Sequence, residues 1–276
     1  MATYNAANSL PTLLASLAEQ NFQSIEVVVQ DGASTDATIK ILEQWQNTLP
    51  FLKICSCRDK GIYDAWNNAL ERATGEWILF LGADDKLITS TSLQLAATIL
   101  HGLPEKTLYM ATPVATASDT KAFATTNSTS LLKPSHNVAR DIHQGMVLPH
   151  QGLFHRHILF EKHRFNINFR IAGDYDFLAR TFAIGKIDVY DIPLVCMAAG
   201  GVSSSLTSMW RGEWEQLRIS RKHFPKSFPW KIYTRLIRSI FCALLAKLFG
   251  LATAARFANF LRKLRRRPPL WNISSK

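Results

Sequence analysis

Two adjacent carboxylates, Asp84 and Asp85, stand directly after the apolar run from Trp77 to Ala83. Neighbouring acids repel each other, and one pKa rises unless a counter-ion is present. A hard divalent cation that also binds a diphosphate would remove this repulsion. Taken alone, the pair fits a solvated turn better, because Asp is a common turn residue.

Acidic residues also follow two earlier predicted strands. The run from Ile25 to Gln30 leads to Asp31, and the run from Leu52 to Cys57 leads to Asp59. Apolar residues at helical spacing follow each acid, and Asp36 is expected to cap the first of these helices. Ligands of open parallel sheets bind outside the carboxyl ends of the strands, so the acids are expected to converge on one crevice.

Five stretches of the chain resemble, in order, the motifs of one enzyme family. They are Thr3 to Ala7, Asp31 to Asp36, Asp59 to Ala65, Gly75 to Asp85, and Ala172 to Asp176. Over residues 3 to 195 the chain resembles the inverting glycosyltransferases of family 2, which have the GT-A fold. The implied fold is an α/β domain with a mainly parallel sheet flanked by helices. The block from Asp59 to Asp85 looks most like bacterial enzymes that build cell-surface polysaccharides.

The resemblance implies roles for four residues on the nucleotide side. Tyr4 would pack on the nucleotide base, and Asp31 would accept a hydrogen bond from a ring N–H. Asp59 and Lys60 would line the nucleotide and its diphosphate. The implied donor is a nucleoside-diphosphate sugar, and we predict that it is a UDP-sugar.

The resemblance also assigns the acid pair. Asp84 matches the family's ligand for Mg²⁺ or Mn²⁺, and Asp85 matches a neighbour that faces the sugar. Relatives more often have an Asp two residues before Asp84, where this chain has Gly82. One ribose or metal contact is therefore expected to be missing, with weaker metal binding as a consequence.

Asp174 matches the family's general base, which takes a proton from an acceptor hydroxyl as its oxygen attacks the anomeric carbon. Many relatives have Glu-Asp here, where this chain has Gly173 before Asp174. That register places Asp174 ahead of Asp176 as the base. Without the resemblance, an acid favoured by the dipole at a helix N-terminus would explain Asp174 as well.

Several histidines lie in a short segment that contains His150, His155 and His157. No cysteine is near, and the spacing matches no recognised metal site. The resemblance instead places His150 and Gln151 on the acceptor side of the cleft. His155 and His157 are expected to be ordinary polar loop residues.

The charge of the chain is divided unevenly. Residues 1–210 contain 16 Lys or Arg against 19 Asp or Glu, a net charge of −3, whereas residues 211–276 contain 16 against 2, a net charge of +14. We therefore predict a GT-A domain over residues 1–210 and a basic helical region over residues 211–276.

The basic region has the pattern of an amphipathic helix, with apolar residues every three or four positions from Tyr233 to Phe249. A basic cluster from Arg262 to Arg267 and Trp271 follow. Aromatic and basic residues beside an apolar face are typical of a segment that lies on a membrane, here residues 230–267. The apolar stretch from Ile240 to Ala255 is shorter than the roughly 20 residues needed to span a bilayer. A helical cap packed on the catalytic domain is the alternative; nucleic-acid binding is a weaker one, since no binding module is recognisable.

The start of the chain departs from the family pattern. Relatives begin with an apolar strand of six to eight residues before the Tyr-Asn loop, whereas this chain starts at Met1 and reaches Tyr4 within three residues. Absence of that strand would leave unpaired backbone groups and a gap in the core. The Ser/Thr-rich stretch from Thr125 to Ser130 is predicted to be a loop.

Together these features predict an inverting transfer of sugar to a hydroxyl of a lipid-linked or polysaccharide acceptor, on the cytoplasmic face of the cell membrane. No CxxC motif or secretory signal occurs, which favours a reducing cytosolic setting. The alternative is a non-catalytic membrane-associated scaffold that keeps a degenerate GT-A fold. Rossmann or P-loop chemistry is disfavoured because both glycine-rich fingerprints are absent.

Overall fold

The computed structural model of the chain describes residues 1–117, 130–198 and 207–264. The strands in these ranges are β1 (Ala2–Thr3), β2 (Val27–Asp31), β3 (Leu52–Ser56), β4 (Trp77–Leu79), β5 (Asp85–Leu87), β6 (Thr107–Ala111), β7 (Val114–Ala117), β8 (Ser130–Leu132), β9 (Leu153–Arg156), β10 (Lys186–Val189) and β11 (Val195–Ala198). The helices are α1 (Leu10–Ala18), α2 (Thr38–Gln46), α3 (Ile62–Leu70), α4 (Ser92–His101), α5 (Val138–Asp141), α6 (Ile158–Lys162), α7 (Gly173–Thr181), α8 (Met209–His223), α9 (Trp230–Phe249) and α10 (Leu251–Leu264).

The predicted succession of strand, acidic loop and helix is present in the first part of the chain. β1, β2 and β3 form a parallel sheet in that order, and Asp31 pairs in register with Ser56. The β-branched residues of β2 bury their side chains against α1 and α2, in a core that includes Leu13, Val29 and Leu42. Since β2 and β3 run in the same direction, Asp31 and the loop that contains Asp59 lie at one edge.

Two further sheets complete the domain and mix parallel with antiparallel pairs. Their strand orders are β10-β6-β9-β4 and β5-β11-β7-β8. The α/β prediction is confirmed, but these sheets are mixed rather than mainly parallel. β9 runs antiparallel to β4, with Leu79 opposite Phe154. The end of β4, which leads to Asp84, therefore lies at the same sheet edge as the turn before β9, which contains His150.

The first strand is short, and a cavity lies beside it. β1 consists of Ala2 and Thr3, which pair with Gln30 and Asp31. The cavity has a volume of about 700 Å³, and its walls include apolar residues of α1, β2, α3 and β4. Met1 also lines this cavity.

The C-terminal helices differ in how they pack. Ile219 of α8 is fully buried and belongs to the same core as Tyr175 of α7. The predicted boundary at residue 210 therefore does not coincide with a break in the packing. α9 and α10 pack on each other through Cys242, Ala254 and Ala258. None of the helices in the described ranges has the length and apolar character needed to cross a bilayer.

Some expectations fall on residues outside the described ranges. These are the predicted loop from Thr125 onward, as far as residue 129, the basic residues Arg265, Arg266 and Arg267, and Trp271. Asp36 was expected at the helix cap, but α2 begins at Thr38, so Ala37 holds that position. The Asp36 carboxylate still accepts the N–H of Thr38, at 3.0 Å.

Candidate active site

Asp31 ends β2 with a fully buried carboxylate that accepts four hydrogen bonds. Oδ1 accepts the hydroxyls of Thr3 at 2.9 Å and Ser34 at 2.5 Å, and Oδ2 accepts the Ser34 N–H and the Ser56 hydroxyl, both at 2.8 Å. Burial alone would raise the pKa of Asp31, but these hydrogen bonds outweigh it and lower the pKa. The carboxylate organises this loop, and contact with a nucleotide base stays a prediction.

The loops around Asn5 and Ala33 are joined above Asp31. The Asn5 N–H donates to Ser34 Oγ at 2.8 Å, and Asn5 Oδ1 accepts the N–H of Thr35 at 2.9 Å. Asn5 and Ala33 have positive φ values of 48° and 59°. Such strained backbone persists where the surroundings enforce it, often at ligand sites.

Tyr4 and Asp59 meet beside Gly32. Tyr4 is 66% exposed, so its ring is available for stacking. A Cβ on Gly32 would lie 2.7 Å from Asp59 Oδ2 and 3.4 Å from Tyr4 Cδ2. Glycine at position 32 therefore lets the two side chains approach. The structure thus brings together three of the residues predicted to hold the nucleotide, namely Tyr4, Asp31 and Asp59.

The loop after β3 has a defined turn. The N–H of Gly61 donates to Asp59 Oδ1 at 2.8 Å, and the N–H of Lys60 donates to Asp64 Oδ2 at 2.9 Å. Gly61 has a φ of 121°, which favours glycine. The Lys60 side chain is exposed at this edge, where an anionic diphosphate could reach it.

Asp84 and Asp85 follow β4 and differ in environment. Asp85 is fully buried, with Oδ2 accepting the Gly82 N–H at 2.6 Å and Oδ1 without a hydrogen-bond partner among the residues that the structure describes. Burial raises the pKa of Asp85 to about 7; the Gly82 N–H opposes this rise and the Asp84 charge adds to it. Asp84 is half-buried. The resemblance suggested that Asp85 faces the sugar, but in the structure its carboxylate is buried.

The acid pair fits a divalent cation. A buried carboxylate oxygen without a partner is costly, and coordination to a cation would satisfy it. A Cβ at Gly82 would lie 2.8 Å from Asp84 Oδ1, so glycine here makes room for that carboxylate. Among the described residues, no group of three or more His, Cys, Asp or Glu side chains is arranged to hold a metal ion. Mg²⁺ is often bound by one or two carboxylates together with substrate phosphates, which agrees with two protein ligands.

Asp174 lies in the first turn of α7, next to Tyr63 of α3. Its Oδ1 accepts the N–H of Tyr175 at 2.8 Å and lies 3.4 Å from the Tyr63 hydroxyl. Burial raises the pKa of Asp174 to about 6, although both hydrogen bonds oppose the rise. A carboxylate with such a pKa is suited to accept a proton near neutral pH.

Asp176 has a structural environment that separates it from Asp174. It is 1% exposed and accepts hydrogen bonds from Arg180 Nε at 2.9 Å and from His223 Nε2 at 3.2 Å. The Arg180 contact lies within α7, and the His223 contact connects α7 with the end of α8. The arrangement supports Asp174, rather than Asp176, as the candidate base.

His150 and His155 are core residues. His150 is 8% exposed and packs against the rings of Trp66, at 4.9 Å, and Phe80, at 5.3 Å. His155 is 1% exposed on β9 and is not the loop residue that the sequence suggested. Burial lowers the pKa of His150 to about 3. This placement disagrees with acceptor contact by His150, while the half-buried Gln151 stays an acceptor-side prediction.

Several residues that shape the site had no role in the sequence analysis. Ser34 and Tyr63 lie inside the recognised motifs, so their spacing was a usable signal. Ser56 ends β3 without any motif and reaches Asp31 only through strand pairing. The Tyr63 hydroxyl connects the loop after β3 with the segment before Asp174 through a 2.7 Å hydrogen bond to the Ile171 carbonyl.

Comparison with known proteins identifies the family. Residues 1–161 match the family described as "Glycosyl transferase family 2". A PGL/p-HBAD biosynthesis glycosyltransferase of Mycobacterium bovis (strain BCG / Pasteur 1173P2) is 34% identical over 184 residues, which are 66% of this chain and 67% of the relative.

Solved structures extend the likeness to the fold. The crystal structure of Staphylococcus aureus TarS 1–349 has a TM-score of 0.62 at 20% identity, covering 96% of this chain and 76% of that one. Mannosyltransferase PcManGT from Pyrobaculum calidifontis, in complex with GDP-Man and Mn²⁺, has a TM-score of 0.62 at 19% identity, covering 95% and 73%. The fold is therefore of the GT-A type, and the chain belongs to glycosyltransferase family 2.

Proposed function

We propose that the protein transfers a sugar from a nucleoside-diphosphate sugar to a hydroxyl of a lipid-linked or polysaccharide acceptor, with inversion, in cell-surface glycan biosynthesis. The main support for the proposal is the environment of the Asp174 carboxylate. Its carboxylate has a raised pKa and lies against Tyr63, which belongs to the same motif as the donor-side residues Asp59 and Lys60. A proton acceptor therefore adjoins the predicted diphosphate loop.

In a single displacement at the anomeric carbon, each residue of the site has a separate role. Asp174 accepts the proton of the attacking hydroxyl, which raises the nucleophilicity of its oxygen. One attack on the anomeric carbon, opposite the departing diphosphate, inverts the configuration. Lys60 lies at the edge where it can approach the diphosphate. Asp84, with Asp85, would hold Mg²⁺ or Mn²⁺, which supplies stabilisation of the charge that develops on the leaving group.

A UDP-sugar is the proposed donor. Similar proteins support a nucleotide sugar: TarS was solved with UDP-GlcNAc and PcManGT with GDP-Man and Mn²⁺. TarS is a poly(ribitol-phosphate) beta-N-acetylglucosaminyltransferase, which supports a polymeric acceptor. A thermal-shift screen of UDP, GDP and dTDP with Mn²⁺ would test the nucleotide, because a ligand that binds the native state raises its apparent stability.

Transfer by wild type and Asp174→Asn tests the catalytic proposal. We expect the variant to lose about 10²- to 10⁴-fold in kcat, the range of general base catalysis, with donor binding retained. EDTA should also abolish wild-type activity, and added Mn²⁺ should restore it. Full transfer by Asp174→Asn would refute the base assignment, and full transfer in EDTA would refute the metal.

We further propose that α9 and α10, named here the C-terminal hairpin, lie on the inner face of the cell membrane. One face of α9 is buried, at Ile232, Leu236 and Cys242. A second stripe is exposed by 46 to 70% and consists of Ile237, Phe241, Leu244 and Leu248. Residues 216–276 contain no acid, so anionic headgroups would meet only cations there.

Co-sedimentation with lipid vesicles tests the membrane proposal. Wild type should bind vesicles of phosphatidylglycerol more strongly than vesicles of phosphatidylcholine. Leu244→Ser with Leu248→Ser should weaken binding by at least about tenfold, because each leucine side chain loses burial in the lipid boundary. Ile184→Ser is the matched control, since Ile184 is 53% exposed but lies outside the hairpin. Equal sedimentation of wild type with and without vesicles would refute the proposal.

A further inference from the structure

The segment Arg170–Ala172, named here the base segment, directly precedes Asp174 and is held by a carboxylate of another helix. The N–H groups of Arg170, Ile171 and Ala172 all donate to the carboxylate of Glu215, at 3.0, 2.9 and 2.8 Å. Glu215 lies on α8, outside the residues that match the family. Three donors that converge on one anion fix the orientation of three successive peptide groups.

These contacts hold the residues that directly precede α7. Its N-cap residue is Ala172, which has no side chain that could accept an N–H group. An anion near a helix N-terminus is stabilised by the helix dipole, and hydrogen bonds to a charged acceptor are stronger than neutral ones. Glu215 therefore adds an anion from α8 beside a helix start that already contains Asp174 and Asp176.

Tyr63 holds the base segment from the opposite side. Its hydroxyl donates to the Ile171 carbonyl at 2.7 Å and lies 3.4 Å from Asp174 Oδ1. Its ring packs against the backbone of Gly173, where a Cβ would lie 2.7 to 2.8 Å from the ring carbons. Glycine at position 173 is thus required by the approach of Tyr63.

We propose that Glu215 and Tyr63 are positioning residues that hold Asp174 in the orientation needed to accept the proton. This inference rests on the proposed role of Asp174 as the base. The two residues act on opposite groups of the base segment, Glu215 on its amides and Tyr63 on a carbonyl. The basic C-terminal part of the chain therefore contributes to the catalytic geometry as well as to any surface contact.

The two residues affect the charge of Asp174 in opposite directions. The negative charge of Glu215 raises the pKa of Asp174, whereas the hydrogen bond from Tyr63 lowers it. Two N–H groups of the same helix, those of Tyr175 and of Asp174 itself, also lower this pKa. Replacing each residue should therefore move the acid limb of the kcat–pH profile in opposite directions.

The test compares Glu215→Gln, Tyr63→Phe and the control Glu213→Gln. Glu213 lies on the same helix but pairs with Arg235, at 2.8 Å. We expect kcat to fall about tenfold in the first two variants, with donor KM unchanged, because a misplaced catalytic group can cost up to about 10²-fold. The acid limb should move to lower pH in Glu215→Gln and to higher pH in Tyr63→Phe. The control should keep the wild-type kcat and profile.

The outcomes separate this inference from the proposed function. Full activity of Asp174→Asn would overturn the base and with it the inference. Loss of activity in Asp174→Asn, with wild-type kcat and acid limb in Glu215→Gln and Tyr63→Phe, would overturn the inference alone. If Glu215→Gln does not fold, Tyr63→Phe decides the question, because it keeps the ring that packs on Gly173.

Discussion

Two fully buried carboxylates of this protein, Asp31 and Asp85, have opposite hydrogen-bonding states. Asp31 accepts four hydrogen bonds, and its pKa is lowered despite burial. Asp85 accepts one at Oδ2, its Oδ1 has no partner within the described ranges, and burial raises its pKa to about 7. Equal burial therefore does not mean an equal role.

The difference indicates what each site needs. A satisfied buried anion stabilises the native loop by itself, because its donors replace water. An unsatisfied buried anion is a cost that a bound cation removes. Asp31 is thus expected to matter mainly for folding, and Asp85 mainly for cation binding and catalysis.

The largest effect that would sharpen this contrast is the loss of activity in Asp85→Asn. We expect kcat/KM to fall by about 10²- to 10³-fold, because a bound cation contributes several kcal/mol to charge stabilisation. The free energy of unfolding without metal should change little, since the amide oxygen can still accept the Gly82 N–H. The thermal shift with UDP and Mn²⁺ together should be large in wild type and smaller in the variant. A thermal shift in Asp85→Asn equal to that of wild type would show that Asp85 does not bind the cation.

Unlike Asp85→Asn, the variant Asp31→Asn should lower the free energy of unfolding. The amide places a donor where Ser34 and Ser56 also donate, so buried hydrogen bonds to the charged group are lost. We expect the free energy of unfolding to fall by about 2 to 4 kcal/mol. Ser56→Ala, which removes one of the four donors, should cost only about 1 kcal/mol. Urea titrations of both variants would measure this, and equal stability of Asp31→Asn and wild type would contradict the structural role.

The sequence predicted the residues that local patterns mark. Apolar runs gave the strands that lead to Asp31, Asp59 and Asp84, because period and turn residues are local properties. The resemblance placed Asp174 in its helix. The hydrogen-bonding states of these acids were not predictable in this way, since the Ser56 hydroxyl reaches Asp31 through strand pairing and Glu215 reaches the base segment from a distant helix.

The burial of two histidines was also not predictable from local sequence patterns. The resemblance suggested an acceptor-side position for His150, and His155 was predicted to be a polar loop residue, but tertiary packing places both rings among Trp66, Phe80 and Phe160. No local pattern distinguishes a buried imidazole from an exposed one. Likewise, Gly82 and Gly173 looked like losses of acidic residues, whereas the structure shows that each makes room for a neighbouring side chain.

The smallest predicted effect extends the comparison to a buried base, His150. Both of its ring nitrogens lack partners, as does Asp85 Oδ1, but aromatic rings surround it and no anion is positioned to pair with it. Its pKa is lowered to about 3 by burial, so the native state leaves it neutral while the unfolded state binds a proton below about pH 6.5. Wild type should therefore lose stability as the pH falls from about 6.5.

His150→Phe removes this proton uptake and keeps an aromatic ring in the same space. Relative to wild type, the variant should gain up to about 1.4 kcal/mol for each pH unit below about 6.5, and nothing further above it. The ring of His155 lies 5.5 Å from that of His150, which helps to lower the pKa of His155, so the measured difference includes a change at His155 as well. Urea titrations at about pH 8, 6 and 5 would measure the change. A stability difference independent of pH would show that His150 is already charged or solvated in the native state, and would remove it from the group of unsatisfied buried residues.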